Sequence, residues 1–136
     1  MKQWDARSLR NLNGIHPDLR KVMDQALQDA PFAFIVTEGL RTVERQRELV
    51  RIGASRTMNS RHITGHAVDL VPFVDVNADG RVSTEEMYSW PLYHRLAPAI
   101  KAAAAKVGVA IVWGGDWRTF KDGPHWELDR RKYPAK

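Results

Sequence analysis

The residues best suited to chemistry in this chain are His62, Asp69 and His125, with Asp122 three positions ahead of the last. His62 and Asp69 fall in the run Ser60-Arg61-His62-Ile63-Thr64-Gly65-His66-Ala67-Val68-Asp69, and His125 in Asp122-Gly123-Pro124-His125-Trp126-Glu127. Two imidazoles and a carboxylate suit a catalytic zinc, which takes three protein ligands and keeps a fourth position for water. Such a metal polarises a carbonyl and activates water for attack. A nearby carboxylate must then act as general base, and Asp122 is placed to supply it. Spacing leaves an alternative open, since His62 and His66 are four residues apart and would chelate together on a helix. Gly65 and the run Ala67-Val68-Asp69-Leu70-Val71 favour a strand instead. A single His beside a Gly is also more often a surface or hydrogen-bonding residue than a ligand.

A second set of oxygens lies immediately downstream. Asp75, Asn77, Asp79 and Ser83 occupy the first, third, fifth and ninth positions of a twelve-residue loop, residues 75–86, that fits the EF-hand pattern. Arg81 would offer its backbone carbonyl, Glu86 a bidentate carboxylate, and Gly80 the sharp turn, so calcium is the expected ion. The competing reading is an acidic turn that caps the next helix, with Ser83 as N-cap and Glu86 closing a capping box. A strand-like segment precedes the loop, so an EF-hand-like loop is expected rather than a helix–loop–helix pair.

The elements that must carry these residues follow from periodicity. His16-Pro17-Asp18 opens a helix, with Leu19, Val22, Met23, Ala26 and Leu27 recurring at helical spacing before Pro31 stops it. Residues 32–37 read as a strand, 42–52 as a helix, and 66–73 as containing a short strand with Ala67, Asp69 and Val71 on one face. A helix is expected over 84–106, broken or kinked near Pro91 and Pro98 and capped by Gly108. Strands at 109–113 and 125–128 complete an α+β domain, a small antiparallel sheet flanked by helices.

The 136 residues suit one domain, 1–136, with a core that needs no disulfides. The absence of cysteine excludes thiolate zinc sites and cysteine nucleophiles. Residues 1–12 show no apolar secretory segment, and no apolar stretch is long enough to span a bilayer. A formal charge of +5 favours anionic partners, yet no nucleic-acid-binding motif accompanies it.

Ser60, His62, Gly65, Ala67 and Asp69 resemble the S-x-H-x-x-G-x-A-x-D signature of the D-alanyl-D-alanine carboxypeptidase-like zinc metallopeptidases, a family that includes phage L-alanyl-D-glutamate endopeptidases. Asp122 and His125 match its second motif, an acidic residue three before a histidine. The resemblance implies His62, Asp69 and His125 as zinc ligands, Asp122 as base, and the fold shared by D,D-peptidases and hedgehog-type domains. His66 falls on a variable position of the signature. Ser8-Leu9-Arg10-Asn11-Leu12, Gly14-Ile15-His16-Pro17 and Trp113-Gly114-Gly115-Asp116-Trp117 look like the phage branch. Glu38-Gly39-Leu40-Arg41-Thr42 with Gln46 resembles another family element, which implies that Arg41 holds a substrate carboxylate or the developing oxyanion. A structural ion pair is the alternative for Arg41. For Asp116 the choice is between orienting a ligand and capping a turn.

The function this implies is that of a monomeric endolysin. It would cut peptidoglycan stem peptides at the L-Ala–D-Glu bond and wait in the host cytoplasm until released to the wall. A D-Ala-D-Ala carboxypeptidase of the same fold and a non-catalytic calcium-dependent wall-binding module are the alternatives.

Overall fold

The computed structural model describes residues 1–134. Five helices and four strands follow the order α1 (Ala6–Leu12), α2 (Pro17–Asp29), β1 (Phe34–Glu38), α3 (Val43–Arg51), β2 (Ala67–Pro72), α4 (Thr84–Met87), α5 (Trp90–Val107), β3 (Ile111–Trp113) and β4 (His125–Leu128). The strands form one antiparallel sheet in the order β1-β2-β4-β3.

Alternation along the strands gives the sheet two faces of different character. Val68, Leu70, Trp126 and Leu128 join Phe34, Val36 and Trp113 in a core covered by α1, α2 and α5. From α2 come Leu19, Val22, Met23 and Ala26, and from α5 Leu96, Ala97, Ile100, Ala103 and Ala104. The residues in between, Asp69, His125 and Glu127, therefore point to the opposite face. In β2 and β4 they are held by pairing of Asp69 with His125 and of Ala67 with Glu127.

Local signals set most boundaries. His16 caps α2 by accepting from the Asp18 N–H through Nδ1, and Pro17 sits in the first turn. Thr42 caps α3, and Gly108 ends α5 with φ of 72°. The segment expected to be broken or kinked near Pro91 is two helices, α4 and α5, separated by a fresh N-cap at Ser89, while no break occurs at Pro98. Pro91 lies in the first turn of α5, where a missing N–H costs nothing. Pro98 lies inside α5, which continues through it because Leu96, Ala97 and Ile100 are anchored in the core.

Helix α1 closes the open edge of β1. Buried Ser8 accepts the Val36 N–H through Oγ at 2.9 Å, and Asn11 Nδ2 donates to the Val36 carbonyl at 2.8 Å. These bonds satisfy backbone groups that an edge strand would leave free for association.

Candidate metal centre

Asp69 and His125 face each other across β2 and β4, so the sheet itself brings two of the three expected ligands together. His62 comes from the turn before β2. Its backbone carbonyl accepts the Arg41 N–H and its own N–H donates to Ser60 Oγ, which fixes the turn against the chain entering α3. Gly65 completes the turn with φ of 76°, and a Cβ there would stand 2.9 Å from the Gly14 carbonyl oxygen. The Gly of the signature is thus required both by conformation and by close approach.

One potential ligand atom from each of His62, Asp69 and His125 lies within 4.8 Å of the others. His62 Nε2 is 3.2 Å and His125 Nδ1 3.3 Å from Asp69 Oδ1. The outward nitrogens are anchored as well. His62 Nδ1 is 2.9 Å from the Gly39 carbonyl oxygen, and His125 Nε2 is 2.9 Å from Glu127 Oε1. Each outward N–H donates to its acceptor, so the inward nitrogen, which in the metal-free protein faces Asp69 and donates to it when protonated, is the one whose lone pair would turn to a shared point once that proton leaves. Two imidazoles and a carboxylate so arranged fit a divalent metal, and zinc chemistry in particular.

The charges agree with this geometry. Burial favours the neutral Asp69 carboxyl, but hydrogen bonds from His125 and His62 outweigh it and hold the pKa well below the usual carboxylate range. Burial likewise opposes a charged His125, yet Asp69 and Glu127 push its pKa up to about 9. Asp122 is shifted upward, first by burial and then by the negative charge of Asp69.

These residues sit in a cleft of 740 Å³, which Asp122 lines together with His62, Asp69 and His125. Residues 53–57 form one wall and Trp117, Thr119, Phe120 and Lys121 the other. The Arg56 guanidinium lies 3.9 Å over the Phe120 ring, joining the two walls at the mouth. The Trp117 ring packs against His125, with centroids 5.1 Å apart.

Arg41 also lines the cleft, but its donors are engaged. Nε and Nη2 form a fork on Glu38 at 3.0 and 2.6 Å, Nη1 donates to Gln46 at 2.7 Å, and Nη2 lies 3.8 Å from Asp69 Oδ2. A bulge between Val36 and Glu38 places Glu38 opposite Asp69 and so aims this network at the site. Asp116, by contrast, pairs with Lys101 at 2.7 Å and lines a separate cavity. His66 is bonded to Thr64 and packs on His16, away from the triad.

From the sequence, Trp117 stands out only as part of the Trp113–Trp117 motif, and Glu127 only as a substitute for Asp122 as base. The i, i+2 spacing of His125 and Glu127 on a strand was the one available sign that they share a face.

In the 75–86 loop, carboxylate oxygens of Asp75, Asp79 and Glu86 converge within 4.8 Å. The capping box is present too: Ser83 accepts from the Glu86 N–H, and Glu86 accepts from the Ser83 and Val76 N–H groups. Asp75 accepts from the Asp79 and Gly80 N–H groups. Cap and acidic cluster therefore coexist.

Fold and site together define a small α+β domain with a His-Asp-His triad, able to hold a metal, lining a cleft. Residues 2–135 match the family described as phage L-alanyl-D-glutamate peptidase. The L-alanyl-D-glutamate peptidase of Escherichia phage T5 is 28% identical over 134 residues, covering 96% of this chain and 92% of the relative. That of Listeria phage A118 is 30% identical over 94% of this chain, which spans 43% of that protein. The crystal structure of the Serratia marcescens L-Ala D-Glu endopeptidase ChiX superposes with a TM-score of 0.84 at 47% identity, covering 96% of this chain and 92% of that one. The chain belongs to the phage L-alanyl-D-glutamate peptidase family.

Proposed function

We propose that the chain is a zinc-dependent peptidoglycan endopeptidase hydrolysing the L-Ala–D-Glu bond of stem peptides, with residues 1–136 acting as a single monomeric peptidase domain. The observation that carries this reading is the convergence of His62 Nε2, Asp69 Oδ1 and His125 Nδ1 in a cleft that a half-buried carboxyl, Asp122, also lines. The named activity of the Serratia and phage relatives supplies the bond.

Zinc held by His62, Asp69 and His125 would supply a Lewis acid for the scissile carbonyl and for a water. The chain's own residues do the rest. Asp122 takes a proton from the attacking water and returns it to the leaving amine. Its upward-shifted pKa brings it nearer the range in which a carboxyl both accepts and gives a proton near neutrality. Arg41 holds Glu38 and stands beside Asp69, so its contribution to oxyanion or substrate charge is a field across the cleft rather than a free fork. Trp117 and Phe120 offer apolar wall to the peptide, while Arg56, Lys121 and Arg130 give the cleft positive charge suited to an anionic stem peptide.

Calcium is the proposed second ion, held by Asp75, Asn77, Asp79, Arg81 through its carbonyl, Ser83 and Glu86. The clustering of three carboxylates in one short loop supports it. No helix among the described residues is long and apolar enough to cross a membrane. Retention in the host cytoplasm until lysis is part of the proposal.

Mass spectrometry of digested peptidoglycan, with zinc analysis of the purified protein, tests the reading. Release of whole peptides with a new D-Glu amino terminus is expected. Release of terminal D-alanine would make the chain a carboxypeptidase, and wall binding without products would make it a binding module.

A further inference from the structure

Glu127 carries no signature residue's label, yet it is the most confined acid in the molecule. It lies on β4 two residues beyond His125, 3% exposed, opposite the small side chain of Ala67. Three groups close on its carboxylate. His125 Nε2 is 2.9 Å from Oε1, Arg130 Nε donates to Oε2 at 2.9 Å, and Arg61 Nε stands 3.8 Å from Oε2. That Arg61 Nε is buried with no hydrogen-bond partner among the described residues, while Arg61 Nη2 is tied to the Leu128 and Tyr133 carbonyls. The carboxylate is therefore divided, with Oε2 bonded to Arg130 and facing the Arg61 guanidinium, and Oε1 bonded to the imidazole.

We propose that Glu127 is the positioning residue for the metal ligand His125, holding the proton on Nε2 and presenting Nδ1 to the metal, with Arg61 and Arg130 fixing its orientation. The inference rests on the reading of His62, Asp69 and His125 as metal ligands and adds a fourth residue that touches neither metal nor substrate. A ligating imidazole needs its outer N–H accepted to hold its tautomer and ring plane. His62 uses a backbone carbonyl for this, which no side-chain change removes. His125 depends on a side chain.

The division of the carboxylate makes Glu127→Gln informative. An amide has one acceptor oxygen, and the Arg130 donor, with the Arg61 guanidinium beside it, holds that oxygen on the Oε2 side. Its NH2 group then faces His125 Nε2, which must accept. The proton moves to Nδ1, the nitrogen that faces Asp69, and metal binding is opposed although shape and volume are kept.

The experiment measures zinc dissociation constants by chelator competition for the native protein and for Glu127→Gln. Long-range proton–nitrogen NMR of the zinc-loaded native protein identifies the protonated and metal-bound nitrogens of His125. The expected results are roughly 10- to 100-fold weaker zinc binding in Glu127→Gln, the usual cost of losing an outer partner of a metal ligand, with unchanged circular dichroism. In the native protein the proton is expected on Nε2 and the metal on Nδ1. Zinc binding by Glu127→Gln as tight as native, or metal on Nε2 of native His125, overturns the proposal. If Glu127→Gln does not fold, the native spectrum alone decides. A native protein that binds no zinc refutes the metal reading itself, a result distinct from either of these.

Discussion

Raising the pH on the metal-free protein should destabilise it, because the His125 environment is built for a positive charge. Burial alone would lower its pKa, but hydrogen bonds to Asp69 and Glu127 push it up to about 9. In the unfolded chain the value returns to about 6.5. A folded pKa above the unfolded one gives stability that is complete below about pH 6.5 and lost as pH rises through about 9. A gap of about two and a half units corresponds to on the order of 3 kcal/mol, at about 1.4 kcal/mol per unit. For a domain of this size that is roughly 10 °C in Tm. The same proton must leave when a metal binds. Zinc uptake by the metal-free protein near neutrality should therefore release a proton and tighten as pH rises. Thermal melts of metal-free protein across this range, set against His125→Gln, measure the effect, and an imidazole NMR titration locates the midpoint. Glu127 bears on the acid side: burial raises its pKa but His125 and Arg130 bring it down to about 2, so its contribution is lost as pH falls from about 4.5 through about 2. A His125 midpoint near the ordinary value, with zinc uptake that releases no proton, would refute the reasoning.

Removing a ligand should separate true members of the triad from a bystander. His62→Ala, Asp69→Ala and His125→Ala should each abolish peptidoglycan cleavage and lower bound zinc, whereas His66→Ala should keep its zinc. Metal loss in His66→Ala but not in Asp69→Ala would reverse the assignment. Asp122→Asn should keep fold and zinc but lose turnover by roughly a hundredfold or more in a muropeptide release assay; near-native rates would remove Asp122 from the chemistry. Calcium should raise Tm, by about 2.7 kcal/mol at a hundredfold excess over its dissociation constant, and Asp75→Ala should abolish that response while leaving zinc bound. Calorimetry that finds no calcium binding at millimolar concentration would reduce the loop to a helix cap. Glu86→Ala is the less clean variant, since Glu86 also closes the capping box.

The grouping of His62, Asp69 and His125 was legible in the sequence in part because strand pairing obeys simple rules. Asp69 and His125 each lie in short alternating apolar runs, and their neighbours Val68, Leu70, Trp126 and Leu128 had to face the core. Helix α1 was not legible. Its seven residues have little apolar periodicity, and its key side chains, Ser8 and Asn11, are polar because their task is to bond the edge of β1. The split between α4 and α5 was signalled by Pro91, but its exact place was not, since Ser89 looks like any helical serine. The engagement of Arg41 by Glu38 depends on a bulge in β1, which no residue pattern announces. Asp116 lay in a motif resembling the phage branch, but its partner, Lys101, is fifteen residues upstream on α5.

The spacing of Asp122 and His125 has a structural reason. The His125 N–H donates to the Asp122 carbonyl at 3.3 Å, so the three-residue step is a turn that folds the chain back as it enters β4. The Asp122 N–H in turn donates to the Gly114 carbonyl at 3.0 Å, and a Cβ on Gly114 would stand 2.5 Å from the Asp122 carbonyl oxygen. The turn is thus bonded to the end of β3 from one side and to the start of β4 from the other. Two of the proposed ligands stand on paired strands, the third on a turn that Gly65 and Ser60 hold, and the proposed base on a turn locked to the sheet. A carboxyl that must meet a water beside a metal gains most from such fixing, since small displacements of a reacting group carry large rate penalties. The length and closure of that turn let a residue three positions away share the cleft with His125.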